Sequence, residues 1–203
     1  MLRLPPLVVC FFSCAFLQLQ AQTKVVGECA IAYDIHQISK TGDTSLLGQK
    51  YIFIKGNSCK TVLKTPQLTQ TFIFNTQKDT AIILKEIGLN KFLQYILYTS
   101  INPVNLVSSK KNAIISTILN YPCASMTLTW ADGNTMDVVY TTDILPTVTV
   151  YEQAFKEIPG LVLNYQLTTK EGNLILYSAT KVDLSPITLK VFEVNKNNYQ
   201  QIN

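Results

Sequence analysis

Residues 119–146 read LNYPCASMTLTWADGNTMDVVYTTDILP and predict a β-hairpin. Its two arms, residues 123–130 and 135–141, are rich in Thr, Val, Trp and Tyr, which are residue types typical of strands. Asp132 and Gly133 lie between the arms and tolerate the positive φ angles that a tight turn requires. An antiparallel strand pair is therefore expected here, and the flanking sequence continues the same pattern.

Strand patterns also occur on both sides of this hairpin. Residues 26–39 alternate apolar with more polar side chains, which predicts a half-buried strand. Its core face carries Cys29, Ile31, Tyr33 and Ile35. The other segments that predict strands are residues 49–55, 58–63, 69–76, 80–87, 113–120, 161–170, 174–183 and 188–194. Residues 91–98 fit both a helical face and a strand, and their aromatic and β-branched content favours the strand.

Helical signals are few. Residues 151–157 are the most convincing helical segment and end before Pro159, whereas residues 102–112 are either a surface connection or a short helix. The chain therefore predicts a mainly β fold, an antiparallel, incomplete (half-open) β-barrel of about ten or eleven strands with one or two short lid helices. Its length of 203 residues favours a single domain.

The first 21 residues have the features of a signal peptide. Arg3 supplies a positive charge, residues 7–17 form a compact apolar run, and cleavage is predicted after Ala21. The apolar run is shorter than the ~20 residues that span a bilayer, and no later segment is long enough, so no transmembrane segment is expected. We expect residues 22–203 to form one secreted or periplasmic domain.

Charge and cysteine content exclude several classes of protein. The formal net charge of +4 is mild, and no segment concentrates the basic residues, so a nucleic-acid partner is not expected. Cys29, Cys59 and Cys123 follow the signal peptide, and none of the spacings is Cys-x-x-Cys. The sequence leaves open whether two of the three form a disulfide or all three are buried free thiols.

Catalytic and metal-binding patterns are sparse. His36 is the sole histidine and shares a strand face with Asp34, but the alternation places both side chains toward solvent. The chain has no phosphate-binding glycine loop and no GxSxG or HExxH motif. The turn at Asp132, Gly133 and Asn134 offers fewer oxygen ligands than calcium requires. We expect a non-enzymatic protein without a metal or other cofactor.

Three segments carry a resemblance to a known family. They are VYTTDI at residues 139–144, IPGLVLNY at residues 158–165 and ATKV at residues 179–182. Through them the chain resembles a family of secreted proteins of Gram-negative bacteria that has no assigned activity (DUF4412/GLPGLI-like). At the level of fold it also resembles the LolA/LolB-type lipoprotein carriers, whose half-closed barrel holds acyl chains under a lid of short helices. The resemblance implies a LolA-like domain with residues 151–157 as part of the lid.

The recurring aromatic and aliphatic side chains are the remaining functional signal. A curved sheet closed over few helices encloses more volume than its own side chains fill, which leaves an apolar cavity. The candidate lining residues are Tyr33, Phe53, Phe72, Phe74, Trp130, Tyr140, Leu163 and Tyr165. The leading hypothesis is a module that binds a lipid or a lipoprotein acyl chain there. The alternative is an envelope scaffold with a solid core, which binds a protein partner and no small ligand.

Overall fold

The computed structural model describes residues 23–98, 106–169 and 171–202. Across these ranges the chain forms 14 strands, more than the ten or eleven predicted, and its helical segments are short 3-10 turns. The strands are β1 (Lys24–Val26), β2 (Glu28–Ile38), β3 (Thr44–Lys55), β4 (Ser58–Lys64), β5 (Thr69–Asn75), β6 (Thr80–Ile87), β7 (Asn90–Leu97), β8 (Leu106–Ile118), β9 (Tyr121–Trp130), β10 (Thr135–Thr141), β11 (Ile144–Pro146), β12 (Leu161–Thr168), β13 (Leu174–Asp183) and β14 (Gln200–Gln201). The predicted signal peptide, residues 1–21, lies outside the described residues.

Twelve of the described strands form one sheet, in the order β14-β7-β6-β5-β4-β3-β2-β13-β12-β10-β9-β8. Neighbouring strands are antiparallel except for β14 and β7, and β1 and β11 form a separate parallel pair. The order ends at β14 and β8, so the sheet is open. The prediction of a mainly β, incomplete architecture is confirmed, whereas closure into a barrel is not observed.

Chain connectivity requires this sheet to curve. β7 and β8 are ten strand positions apart, which in a flat sheet is about 48 Å at a spacing of about 4.8 Å. The chain nevertheless passes from Leu97 to Leu106 directly, and nine residue steps reach at most about 32 Å. A flat arrangement is therefore excluded, and one continuous core cluster joins side chains from both halves of the sheet.

The predicted central hairpin is formed by β9 and β10. The Trp130 N–H donates to the Asn134 carbonyl at 3.0 Å, which closes the turn. Gly133 adopts a φ of 83°, and the Asp132 carboxylate accepts a hydrogen bond from the Asn134 backbone. This local turn chemistry sets the register of the hairpin, as the sequence predicts.

The core lies on one face of the sheet, which we call the core face. Alternation in β2 points Cys29, Ile31, Tyr33 and Ile35 to this face, each at most 2% exposed. The segment between β11 and β12, residues 147–160, is here called the crossing segment. Its side chains in the core cluster are Val148, Tyr151, Phe155 and Ile158. The crossing segment therefore covers part of the core face.

The prediction of a lid helix at residues 151–157 is wrong. The segment contains a single 3-10 turn, Gln153–Phe155, in which the Phe155 N–H donates to the Glu152 carbonyl. A helix needs ~12–15 residues before it is even marginally stable on its own in water, and this turn is far shorter. The buried side chains of the crossing segment therefore determine the path of its backbone. No helix in the described ranges has the length and hydrophobicity of a membrane span.

Two further segments differ from their predictions. Residues 188–194 are not a strand: they contain the 3-10 turn Leu189–Phe192 and lie against the opposite face of the sheet, where Lys60 donates to the Val191 carbonyl. The edge beside β7 is instead occupied by β14. Residues 106–112 belong to β8 and not to a connection or helix, because they pair with β9, while residues 102–105 lie outside the described ranges.

Candidate functional site

An open cleft lies on the core face, between the strands of the first half of the chain and the crossing segment. Its volume is about 560 Å³, within the range of about 300–1,000 Å³ typical of ligand sites. The apolar part of its lining includes Leu63, Phe72, Ile83, Ile96 and Val150. We call this space the core-face cleft.

A buried lysine forms part of the wall of this cleft. Alternation in β3 gives Lys50 the same orientation as Ile52 and Ile54, which are fully buried, so its side chain enters the core face. Lys50 is only 7% exposed, and no other charged residue in the described ranges is buried to this degree. A charge in such a place requires compensating partners.

Lys50 finds its partners on two distant parts of the chain. Its ammonium forms an ion pair with the Glu152 carboxylate from the crossing segment and donates a hydrogen bond to the Tyr165 hydroxyl at 2.9 Å. The nitrogen also lies 5.5 Å from the ring centres of both Tyr165 and Tyr177, which favours a cation through the ring quadrupoles. Those two rings stack on each other with centroids 4.3 Å apart.

Aromatic contacts hold the crossing segment beside this lysine. Phe155 packs edge-on against Tyr165 with centroids 5.0 Å apart, and it contacts Tyr151 in the same way. The Tyr151 hydroxyl accepts a hydrogen bond from the Val162 N–H, while the Tyr33 hydroxyl donates to the Val162 carbonyl at 2.7 Å. These contacts fix the backbone on both sides of Glu152.

The tyrosines around Lys50 are held in their neutral form. Burial raises the pKa of Tyr33, Tyr151 and Tyr165 well above the usual value for tyrosine, and the nearby negative charge of Glu152 adds to the effect. Their hydroxyl groups therefore remain protonated at neutral pH. The site therefore offers one cation, one carboxylate and neutral hydroxyls beside an apolar wall.

The eight predicted cavity residues are distributed over several places. Phe72 lines the core-face cleft, and Tyr165 contacts Lys50 at its edge. Buried positions in the core are occupied by Tyr33, Phe74, Tyr140, Leu163 and Tyr165. Trp130 lines a second cleft of about 770 Å³ at the end of the central hairpin. The structure thus brings five of them into one packed core and does not gather all eight around one cavity.

Phe53 lies on the opposite face of the sheet. Its neighbours Ile52 and Ile54 are fully buried on the core face, so alternation directs Phe53 away from it. There it lines a third cleft of about 640 Å³, together with Lys60 and the C-terminal segment that includes Val191. Phe53 was predicted to line the cavity because it is aromatic. Its position in the alternation of β3 instead directs it to the face opposite the core.

Sequence reasoning missed the Lys50–Glu152 pair. The available signal was the phase of Lys50, a charged residue at the position where alternation in β3 demands an apolar one. Nothing in the sequence indicates its partner, because the two residues are 102 positions apart. Pairing them requires knowing that the crossing segment folds back over β3.

The sole histidine, His36, does not line the core-face cleft. His36 and Asp34 are half-buried on the face of β2 away from the core, and Asp34 accepts a hydrogen bond from Gln49. Across the described ranges, no group of three or more His, Cys, Asp or Glu side chains is placed to hold a metal ion.

Cys29, Cys59 and Cys123 are buried free thiols. Cys29 and Cys59 pair with the same residue, Ile54, from opposite sides of β3, so two strand spacings of about 4.8 Å separate them. That separation exceeds the ~7 Å within which two Cα atoms can be bridged. The alternative of buried thiols is therefore the one observed.

We expect these thiols to resist alkylation by iodoacetamide in the folded protein at about pH 8. Burial, with the nearby Asp183 charge, raises the pKa of Cys29 to about 12, and burial also raises the pKa of Cys59 and of Cys123. The reactive thiolate is thus scarce until the protein unfolds. Peptide mass spectrometry with and without urea locates the modified residues, and rapid labelling of Cys29 in the native protein would contradict its burial.

Comparisons with known proteins find distant structural likenesses. No protein-family model matches the chain, and no curated protein matches it significantly. The chain is similar to the solved structure of PNGF-II, with 16% identity and a TM-score of 0.46 over 87% of this chain, and it spans only 31% of the length of that protein. It is also similar to a LolA superfamily protein from Nitrosomonas europaea, with 9% identity and a TM-score of 0.36 over 83% of this chain and 90% of the other. Neither likeness assigns the chain to a family or a function.

Proposed function

We propose that this protein is a secreted or periplasmic, non-enzymatic module that binds a hydrophobic ligand, a lipid or an acyl chain, in the core-face cleft. One observation carries the proposal. Phe72, Ile83 and Ile96 are only half-buried, although they lie on the face of the sheet that carries the core, and Val150 of the crossing segment opposite them is half-buried too. Apolar side chains left accessible in a concave space are the usual lining of a small-molecule site.

The proposed compartment rests on the predicted signal peptide. A signal peptide at residues 1–21 would direct the chain out of the cytoplasm, where membrane lipids and acylated proteins would be available as ligands. A ligand that buries its apolar surface in the cleft gains about 25 cal/mol for each Å² removed from water. The proposed ligand is therefore one with a long apolar tail, because transfer of that tail from water into the cleft is favourable.

Binding of N-phenyl-1-naphthylamine, an uncharged probe that fluoresces in apolar sites, tests the proposal. We expect binding that 1-hexadecanol displaces. Ile83→Arg, which places a charge in the apolar wall, should weaken binding at least about tenfold. Ile82→Arg is the matched control, because Ile82 is the neighbour in β6 whose side chain points to the other face.

Native mass spectrometry of protein purified from a bacterial envelope provides an independent measurement. A bound lipid that is lost on delipidation supports the proposal. An apo mass, combined with no probe binding to the unmodified protein, overturns it. Equal loss of binding in both arginine variants would place the probe somewhere other than the core-face cleft.

A protein-interaction module is the second candidate function, and β8 favours it. This strand is the 13-residue edge of the sheet, and Val107 on it is largely exposed. An exposed edge can accept a strand from another protein. Absence of ligand binding, both by the fluorescent probe and in native mass spectrometry, would favour a protein-interaction function at this edge.

A further inference from the structure

We infer that Lys50 makes the core-face cleft selective for ligands with a carboxylate head, such as long-chain fatty acids, and that the head takes the place of the Glu152 side chain. The inference rests on the proposed function and names its ligand class. It depends on three features of the structure: where Lys50 lies, what surrounds it, and how Glu152 is held.

The position of Lys50 is costly for folding. A buried ion pair is commonly no more stabilising than apolar side chains of similar size, because two charges must be removed from water. Ile52 and Ile54 show that this face of β3 readily accepts an aliphatic residue. Stability therefore gives little reason for a lysine at this position, whereas recognition of an anion does.

The groups around Lys50 are complementary to a fatty acid. The ammonium lies in the wall of a cleft whose remaining lining includes Leu63, Phe72, Ile83 and Ile96. A molecule with one anionic head and a long apolar tail matches one cation beside an apolar wall. The Tyr165 hydroxyl, 2.9 Å from the lysine nitrogen, is a further polar group near the head.

Glu152 is held so that its carboxylate can be replaced. Its neighbour Tyr151 and the nearby Phe155 are buried and fix the backbone, while the Glu152 side chain itself is 33% exposed. Rotation about the side-chain bonds of Glu152 would free Lys50 without moving the crossing segment. A fatty-acid head is chemically the same group, so it can form the same charge-assisted hydrogen bond with Lys50.

Competition against bound N-phenyl-1-naphthylamine, with palmitate and 1-hexadecanol as competitors of equal chain length, tests the inference. Glu152→Gln removes the internal carboxylate, so palmitate should bind about tenfold or more tightly, while hexadecanol should change less than about twofold. Adding Lys50→Met to that variant should abolish the gain for palmitate. Lys50→Arg, which retains the charge, should preserve the preference for palmitate over hexadecanol.

Lys55→Met is the matched control. Lys55 lies on the same strand and pairs with Glu28 at 2.6 Å, but this pair is not part of the core-face cleft, so palmitate binding should be unchanged. Thermal melts establish that each variant is folded. Equal binding of palmitate and hexadecanol in every variant would overturn the inference and leave the proposed function standing, whereas absence of binding by either competitor and by the probe would overturn both.

Discussion

Gly160→Ala is expected to lower the free energy of unfolding by about 2–3 kcal/mol, because the added methyl group has no room. A Cβ at this position would overlap the backbone carbonyl oxygen of Thr141 and lie 2.9 Å from its carbonyl carbon. Gly160 immediately precedes β12, where Thr141 pairs with Leu161. The overlap is relieved if β10 and β12 move apart, and this would disturb the pairing of two strands inside the sheet.

Urea denaturation of the variant measures this loss, and Gly27→Ala is the matched control. A Cβ at Gly27 meets nothing within 4 Å, and this glycine does not have a positive φ, so the control should change stability by less than about 1 kcal/mol. Equal effects of the two substitutions would show that close backbone contact is not what requires glycine at position 160.

The close contact at Gly160 explains why a glycine occurs in one of the segments that carry the family resemblance. Gly160 lies within IPGLVLNY, residues 158–165, one of the three segments that carry the family resemblance. Close approach to Thr141 explains the glycine, and the next strand then places Val162 against Tyr33 and Tyr151. The segment therefore helps to position the aromatic groups beside Lys50, and it supplies one of them, Tyr165.

Local features of the fold could be predicted from the sequence. The turn at Gly133 and the alternation in β2 each depend on residues that are neighbours along the chain, so their chemistry is visible in the sequence. The pairing of β2 with β13 is different. It joins Tyr33 to Ala179, and no short-range pattern encodes which distant strand completes a sheet.

The candidate site could be predicted only in part, for the same reason. The sequence shows Phe72 and Tyr165 to be aromatic residues on predicted strands. Whether such a residue lines a cleft or fills the core depends on what covers it. The crossing segment supplies that cover, and its path is set by buried side chains and not by a regular helix. The Lys50–Glu152 pair exists only because this path returns to β3.

Phe155→Ala is expected to lower the free energy of unfolding by about 3–5 kcal/mol, the range for removing a large aromatic residue from a packed core. Phe155 is 1% exposed and contacts Tyr151 and Tyr165 edge-on. Its loss would leave a cavity beside Tyr165 and remove one of the buried side chains that anchor the crossing segment. Leu89→Ala is the control, because Leu89 is fully exposed and its truncation should change stability by less than about 0.5 kcal/mol.

The same variant distinguishes two ways in which the crossing segment can behave. If the segment is an integral part of the core, Phe155→Ala lowers the midpoint of the single global urea transition, and amide exchange accelerates in β12 as well as in the segment. If the segment is an independent flap, exchange accelerates in the segment alone and the global transition stays where it was. The buried contacts of Phe155 and the hydrogen bond from Val162 to Tyr151 favour the first outcome, since they tie the segment to β12 by packing and by a backbone partner at once.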